Sequence, residues 1–127
     1  MKKIGKSTYK TEKNPAISFF ASAVGEKEGQ GPLGELFDRV FTDMYAGETT
    51  WEKAESRLQK TVAQMVLNKS KKKSEEIDLI FAGDLLNQCT ASAFGMRDFE
   101  IPYLGQYGAC STMVQSIIGA VTAVESG

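Results

Sequence analysis

The sequence predicts an α/β domain built on a parallel β-sheet. Its central and C-terminal parts alternate between apolar, strand-like runs and segments with helical spacing, joined by short connections. Such alternation is typical of parallel strands linked by right-handed helical crossovers. The run 77–83 is almost continuously apolar and stops at a glycine, which is the pattern of a strand buried on both faces of a sheet.

Length and composition favour one folded domain. The chain has 127 residues, 42% of them hydrophobic, and a formal net charge of −1. This balance gives no reason to expect nucleic acid or an anionic membrane as a partner of the whole chain. No apolar N-terminal run resembles a signal peptide, and the longest weakly polar segment, 116–124, is too short to span a bilayer. We therefore expect any membrane association to go through a partner.

Two strands, a loop and a helix are predicted in the N-terminal part. Segments 8–10 and 16–20 flank a turn-forming Asn-Pro pair and are predicted to be strands. Four glycines and a proline make 25–34 a loop, which lacks the Gly-Lys-Ser/Thr ending of a phosphate-binding loop. Apolar residues then recur at helical spacing, so 33–45 is predicted to form a short amphipathic helix or a helical excursion of the loop.

The central helix carries its own start signal. Thr49 stands three residues ahead of Glu52, which is the capping-box pattern, and an apolar helical face follows from Trp51. The helical pattern fades at Asn68. The basic run 69–74 that follows could touch phosphates, but we interpret it as a solvated loop, because its cations complement the helix dipole and no aromatic residue is interleaved.

Polar residues follow two predicted strands and should face one pocket. Asp84 and Asn87 come directly after the strand 77–83, and Cys110 follows a second strand that opens at Pro102. Ligands of parallel sheets bind beyond the carboxyl ends of the strands. Helix capping and turn formation are the alternative roles for Asp84 and Asn87. A helix over about 90–97 is predicted between the two strands.

Cys110 is the main candidate for chemistry. It begins the last predicted helix, where unpaired backbone N–H groups and the positive end of the helix dipole favour a thiolate or a bound anion. The alternative is a small core residue, the usual situation of a free cysteine. The sequence contains no histidine, which excludes a complete Cys-His pair within these residues. No metal site or cofactor is predicted.

The last predicted helix has a face without an obvious partner in this sequence. Its apolar side is opposed by a side of small or mildly polar residues, and no preceding helix is an obvious match for that small side. The sequence stops at Ser126-Gly127, where a helix-terminating glycine would normally lead to another strand. We infer that residues 1–127 are the N-terminal part of a larger domain.

Taken together, these motifs resemble the stage V sporulation protein AD family of the thiolase-like superfamily. The resemblance covers all 127 residues and is family-specific because two of its motifs occur together at the expected separation. The matching stretches are Glu28-Gly29-x-Gly31-Pro32-Leu33-Gly34, Leu36-Phe37-Asp38, Trp51-Glu52-x-Ala54-Glu55, Phe81-Ala-Gly-Asp-Leu-Leu-Asn-Gln88 and Tyr107-Gly-Ala-Cys-Ser-Thr112. The resemblance implies a layered αβαβα thiolase fold of two duplicated halves. Residues 1–127 would supply most of the first half, with the second absent.

The resemblance also implies a function in endospore formation. It implies a protein that binds dipicolinic acid and supports its uptake into the developing spore with stage V sporulation membrane channel proteins. Such a protein would be peripheral on the cytoplasmic face of the spore inner membrane, and the superfamily commonly forms homodimers. Asp84, Asn87, Cys110 and Ser111 are the expected ligand-binding residues.

An enzyme is the alternative function. Cys110 falls on the position of the superfamily's acyl-accepting nucleophile, which suggests an acyltransferase-like or condensing enzyme of the ketoacyl synthase or thiolase type. The second half of such a site, which supplies its histidine, is missing from the sequence. We therefore do not expect catalysis by this chain alone.

Overall fold

Four helices and six short strands form the structure, a computed structural model that describes residues 1–127. The α-helices are α1 (Glu26–Gly29), α2 (Trp51–Ser70), α3 (Thr90–Met96) and α4 (Thr112–Ser126). The strands are β1 (Lys2–Lys3), β2 (Tyr9–Lys10), β3 (Ala23–Val24), β4 (Arg39–Val40), β5 (Ile80–Ala82) and β6 (Tyr103–Gly105). The predicted mixture of helices and strands is therefore confirmed.

The strands pair two by two. β1 and β2 form an antiparallel hairpin, whereas β3 pairs with β4, and β5 with β6, in parallel. Ile80 lies opposite Tyr103 and Ala82 opposite Gly105. The three pairs are not joined by ladder hydrogen bonds into one sheet. The parallel pairing of the two central strands agrees with the sequence, while the layered thiolase arrangement stays a prediction.

The core lies where α2 and α3 pack beside β5 and β6. Its centre is formed by Met96, Phe99 and Ile101, with half-buried apolar residues of α2 and β5 around them. A Cβ atom at Gly95 would lie 2.8 Å from the carbonyl oxygen of Ser56, so glycine allows α3 to approach α2 closely. The Ser56 hydroxyl donates a hydrogen bond to the Ala91 carbonyl oxygen at 2.9 Å, which fixes the two helices together.

The small side of α4 packs on a strand rather than on a helix. A Cβ atom at Gly119 would lie 2.7 Å from the ring of Phe81, which belongs to β5. No helix in the sequence matched this side of α4 because its partner is a strand. The Phe81 ring of β5 fills the space that Gly119 leaves open. The apolar side of α4 remains exposed, as the exposed fractions of Met113 (69%) and Ile118 (58%) show.

Three N-terminal predictions are wrong in detail. Segment 16–20 is not a strand, since the pairing strand is β3, three residues further on. The glycine-rich loop contains one helical turn, α1. Segment 33–45 is not a helix: it has a single 3₁₀ turn at Gly34–Leu36 and then enters β4.

Tertiary contacts around Asp38 explain why β4 replaces the predicted helix. The Ser22 N–H donates to the Asp38 carboxylate at 2.9 Å, and the Arg39 N–H donates to the Ser22 carbonyl oxygen at 3.1 Å. Lys69, on α2, pairs with the same carboxylate at 2.6 Å. Strand pairing and this ion pair thus fix an extended backbone despite helical spacing.

α2 begins at Trp51, but its cap lies one residue later than predicted. The Thr50 hydroxyl oxygen accepts the N–H of Lys53 at 3.3 Å, so Thr50 rather than Thr49 is the N-cap. The helix continues to Ser70 and ends at Lys71, whose φ of 57° is left-handed. The start of the basic run is therefore helical, residues 71–73 form an exposed loop, and Ser74 begins a 3₁₀ turn.

No element of the structure is a membrane-spanning helix, since none combines sufficient length with sufficient apolar character.

Candidate functional site

The ends of β5 and β6 meet the start of α4 at Gly83. A Cβ atom there would overlap the carbonyl oxygen of Gln106 and lie 2.7 Å from Cγ2 of Thr112. The Gln106 N–H donates to the Ala82 carbonyl oxygen at 2.9 Å and so extends the parallel pairing up to this point. Only a glycine allows the loop after β5 to approach the turn before α4 this closely.

An open pocket of about 400 Å³ lies at this junction. It is lined by the end of β5, by both loops, by the first two turns of α4 and by one residue of α2. These residues are Glu55, Ala82, Gly83, Asp84, Leu85, Ala109, Cys110, Thr112, Met113 and Ser116. The structure therefore brings Asp84 and Cys110 to one pocket. Asn87 and Ser111 are not among the lining residues.

The Asp84 carboxylate is engaged in internal hydrogen bonds. Asp84 is only 5% exposed. Its carboxylate accepts the N–H of Leu86 at 2.7 Å, and the N–H and hydroxyl of Ser92 at 2.7 and 2.6 Å. These bonds tie the loop after β5 to α3, which is the capping and turn-forming role that the sequence left open. Asp84 therefore shapes the pocket wall.

Ser92 and Tyr103 extend this network and were not found from the sequence. The Ser92 hydroxyl lies 2.8 Å from the Tyr103 hydroxyl. The Tyr103 hydroxyl also donates to the Ala82 carbonyl oxygen at 3.3 Å. Burial raises the pKa of the Tyr103 phenol, which keeps it neutral. In the sequence, Ser92 stands between small residues of a predicted helix. That pattern indicates a buried side chain but does not identify its hydrogen-bond partners.

Cys110 is exposed and stands in the 3₁₀ turn Ala109–Ser111 that leads into α4. Its position at a helix start is as predicted. The alternative, that Cys110 is a small core residue, is wrong because the side chain is exposed. The turn is fixed by the Gly108 N–H, which donates to the Thr112 hydroxyl oxygen at 3.0 Å. Ala109 has a φ of 51°, a left-handed conformation uncommon for a residue with a side chain.

Cys89 behaves differently from Cys110. It is buried, and its thiol donates to the Gln106 carbonyl oxygen at 3.2 Å. The neighbouring residue Gln88 and Cys89 itself have left-handed φ values of 57° and 54°. The two thiols are both free, and only Cys110 is accessible to a reagent or a ligand.

Asn87 and Ser111 have local roles. The Asn87 carbonyl oxygen accepts the Thr90 hydroxyl at 2.5 Å, at the entry to α3. The Ser111 hydroxyl donates to the Gly108 carbonyl oxygen at 2.6 Å and closes the turn before α4. Their contacts thus stabilise the two loops that bear Asp84 and Cys110.

A second, larger groove of about 890 Å³ runs between α2 and α3. Most of its lining residues are polar or charged, and two ion pairs, Arg57 with Glu48 and Lys60 with Asp98, lie among them. It contains none of the predicted site residues. No group of three or more acidic, cysteine or histidine side chains is arranged to hold a metal ion.

Comparison with known proteins gives two matches. The family model of stage V sporulation protein AD matches residues 5–127. The chain is also similar to stage V sporulation protein AD of Bacillus subtilis (strain 168), with 37% identity over 127 residues. That alignment covers 100% of the chain and 38% of the relative, so the chain spans about two fifths of the length of this curated protein.

Proposed function

Because the chain belongs to the stage V sporulation protein AD family, we propose that it contributes a binding pocket for dipicolinic acid. In this proposal it supports uptake of the ligand into the developing spore, together with stage V membrane channel proteins. It would act from the cytoplasmic face of the spore inner membrane as a peripheral protein.

The observation that carries the proposal is the start of α4 at the open pocket. Dipicolinate is a flat pyridine ring with two carboxylates. The first N–H groups of a helix lack intrahelical acceptors and favour a bound anion, and those of Ala109 and Cys110 lie before the first turn of this helix. The exposed apolar side chains of Leu85 and Met113 line the same pocket and suit the ring.

The Asp84 carboxylate restricts where the ligand can sit. Its oxygens already accept hydrogen bonds from Leu86 and Ser92, and its negative charge would repel a dianion. We therefore place the ligand carboxylate at the Cys110 side of the pocket. In this arrangement Asp84 holds the opposite wall and makes no direct contact with the ligand.

Calorimetric titration with dipicolinate tests the proposal. Cys110→Leu puts a larger side chain into the pocket and should weaken binding at least about tenfold, or about 1.4 kcal/mol. Cys110→Ser keeps the size and should bind almost as the unchanged chain does. Cys89→Ala is the matched cysteine control and should leave binding unchanged. Equal binding by the leucine variant would contradict this placement.

Acyl transfer is the second candidate, and the exposed thiol of Cys110 favours it. The thiolate would attack the carbonyl carbon of an acyl-CoA, and the CoA thiolate would leave, which produces an acyl thioester on Cys110. Mass spectrometry after incubation with acyl-CoA detects this product. A stable adduct on Cys110 and none on Cys89 would support the enzyme. Dipicolinate binding without an adduct would support the binding protein.

A further inference from the structure

The N-terminal hairpin, residues 1–13, concentrates the positive charge of the chain. It contains five lysines and one acidic residue, Glu12, for a formal side-chain charge of +4. Residues 14–127 contain ten basic and fifteen acidic residues, for a formal charge of −5. The net charge of −1 therefore conceals a strong separation between a basic hairpin and an acidic remainder.

The hairpin contributes no side chain to the core. Each of residues 1–10 is exposed. The register places Lys2 opposite Lys10, and residues opposite each other share a face, so two ammonium groups lie side by side. Such like-charge pairs weaken a hairpin, and an isolated pair of strands is only marginally stable. The lysines are therefore not explained by folding stability.

The hairpin is nevertheless attached firmly to α4. The Glu125 carboxylate accepts the N–H groups of Glu12 and Lys13 at 2.8–3.1 Å. The Glu12 carboxylate pairs with the Met1 amine at 3.1 Å, so the one acidic side chain of the hairpin is compensated. None of the five lysines forms an ion pair. Their positive charges are left for a partner.

We propose that the N-terminal hairpin docks on an anionic phospholipid bilayer. Lysines near such a surface are attracted by its negative potential. Ile4 (57% exposed) and Tyr9 (60% exposed) supply the apolar and aromatic atoms that settle at the headgroup boundary. The acidic remainder of the chain would stay away from the surface. This contact with lipid is direct, whereas the sequence suggested association only through a partner.

Nucleic acid fits the hairpin less well. Residues 1–13 contain no arginine, asparagine or glutamine, so lysine is the only side chain of the hairpin that belongs to the usual bidentate readers of guanine and adenine edges. A bilayer also accommodates the exposed side chains of Ile4 and Tyr9 at its headgroup boundary. The bilayer proposal goes beyond dipicolinate binding and does not depend on it, since none of the hairpin residues lines the pocket.

Co-sedimentation of the full chain with lipid vesicles tests the proposal. Vesicles of phosphatidylglycerol and phosphatidylcholine are compared with vesicles of phosphatidylcholine alone. The hairpin variant carries Lys2→Gln, Lys3→Gln and Lys10→Gln. The matched control carries Lys71→Gln, Lys72→Gln and Lys73→Gln in the other basic segment, so both variants lose the same charge. All six lysines are exposed, and circular dichroism checks that both variants fold.

The unchanged chain should bind only the anionic vesicles and should be released at about 1 M salt, where the Debye length is about 3 Å. The hairpin variant should bind at least about tenfold more weakly, and the control less than about twofold. Equal losses in the two variants, or no binding to anionic vesicles, would overturn the proposal.

Binding of duplex DNA that depends on the hairpin, without vesicle binding, would assign the surface to nucleic acid instead. The hairpin variant should bind dipicolinate as the unchanged chain does, so the vesicle result and the pocket proposal are tested independently.

Discussion

Ser92 joins the two strands and the helix that support the pocket. Its side chain is 0% exposed, and its hydroxyl lies between the Asp84 carboxylate and the Tyr103 hydroxyl. Ser92→Ala should lower the free energy of unfolding by about 1–3 kcal/mol, because buried polar partners are left incompletely satisfied. Denaturant unfolding measures the change. Thr122→Ala is the control, because the Thr122 hydroxyl is exposed and bonds only within α4; an equal loss in both variants would contradict the prediction.

The attachment of the hairpin should depend on pH through Glu125. The Met1 amine, at 2.8 Å, and the N–H of Glu12 lower the pKa of the Glu125 carboxyl from 4.5 to about 2. A carboxyl group whose pKa is lowered by folding contributes its full stabilisation above pH 4.5. That contribution is lost as the pH falls towards 2. The Glu125 and Glu12 carboxylates raise the pKa of the Met1 amine above 8.0. That contribution is present below 8.0 and is lost as pH rises through the raised value.

Amide NMR signals of Glu12 and Lys13 measure this titration, because both N–H groups donate to the Glu125 carboxylate. They should shift with an acid midpoint at about 2. Glu125→Gln should abolish the transition. A midpoint near 4.5 in the unchanged chain would show that the carboxylate is not held in this way.

At the scale of the helix, Thr50 and Thr49 provide a matched pair. Thr50 caps α2 through the Lys53 N–H, so Thr50→Ala should cost about 1 kcal/mol of stability. Thr49→Ala removes only a long contact with the Lys53 ammonium group, 3.5 Å away, and should cost less than about 0.5 kcal/mol. Thermal unfolding compares them. A larger loss of stability for Thr49→Ala than for Thr50→Ala would show that Thr49 is the N-cap, as the sequence pattern suggested.

Gly83 determines how closely the loop after β5 approaches the turn before α4. Gly83→Ala should separate them, because its Cβ would overlap the Gln106 carbonyl oxygen. The expected loss is more than about 1 kcal/mol of stability, together with weaker dipicolinate binding. Gly25→Ala is the control, since a Cβ there meets nothing within 4 Å. Calorimetry of both variants checks the prediction, which fails if Gly83→Ala is as stable as Gly25→Ala.

For the whole molecule, the exposed side of α4 should limit stability. Only 12 of 127 residues are buried, whereas several large side chains of α4 are half exposed or nearly so. These are Met113, Val114, Ile117, Ile118 and Val124. Each aliphatic side chain left in water forgoes roughly 1.5–3 kcal/mol, so two or three of them rival the ~5–15 kcal/mol that stabilises a domain.

Residues 1–127 alone should therefore unfold at low temperature, dimerise or aggregate. Analytical ultracentrifugation and calorimetry over a range of concentrations measure this. The opposite result is a monomer with a sharp unfolding transition that does not depend on concentration. It would show that the structure needs no further cover on α4.

Local sequence signals determined the elements whose stability is local. Capping residues and an apolar face predicted the start of α2 to within one residue, and the apolar run 77–83 contains β5. The Gly-Ala-Cys sequence placed Cys110 correctly at a helix start. The two helix starts depend on contacts within a few residues, so the pattern itself contains them, whereas for β5 the pattern marks the strand but not its partner β6.

Only the tertiary structure decided the features that depend on distant partners. The Asp84 carboxylate is held by Ser92, eight residues away and on another element. The conformation around Asp38 depends on Lys69, which is 31 residues further along the chain. Hydrogen bonds and ion pairs of this kind act through space, and periodicity along a sequence does not encode which chain segments meet. The sequence therefore identified Asp84 as a polar residue at the pocket, whereas the fold decided that its carboxylate supports the wall.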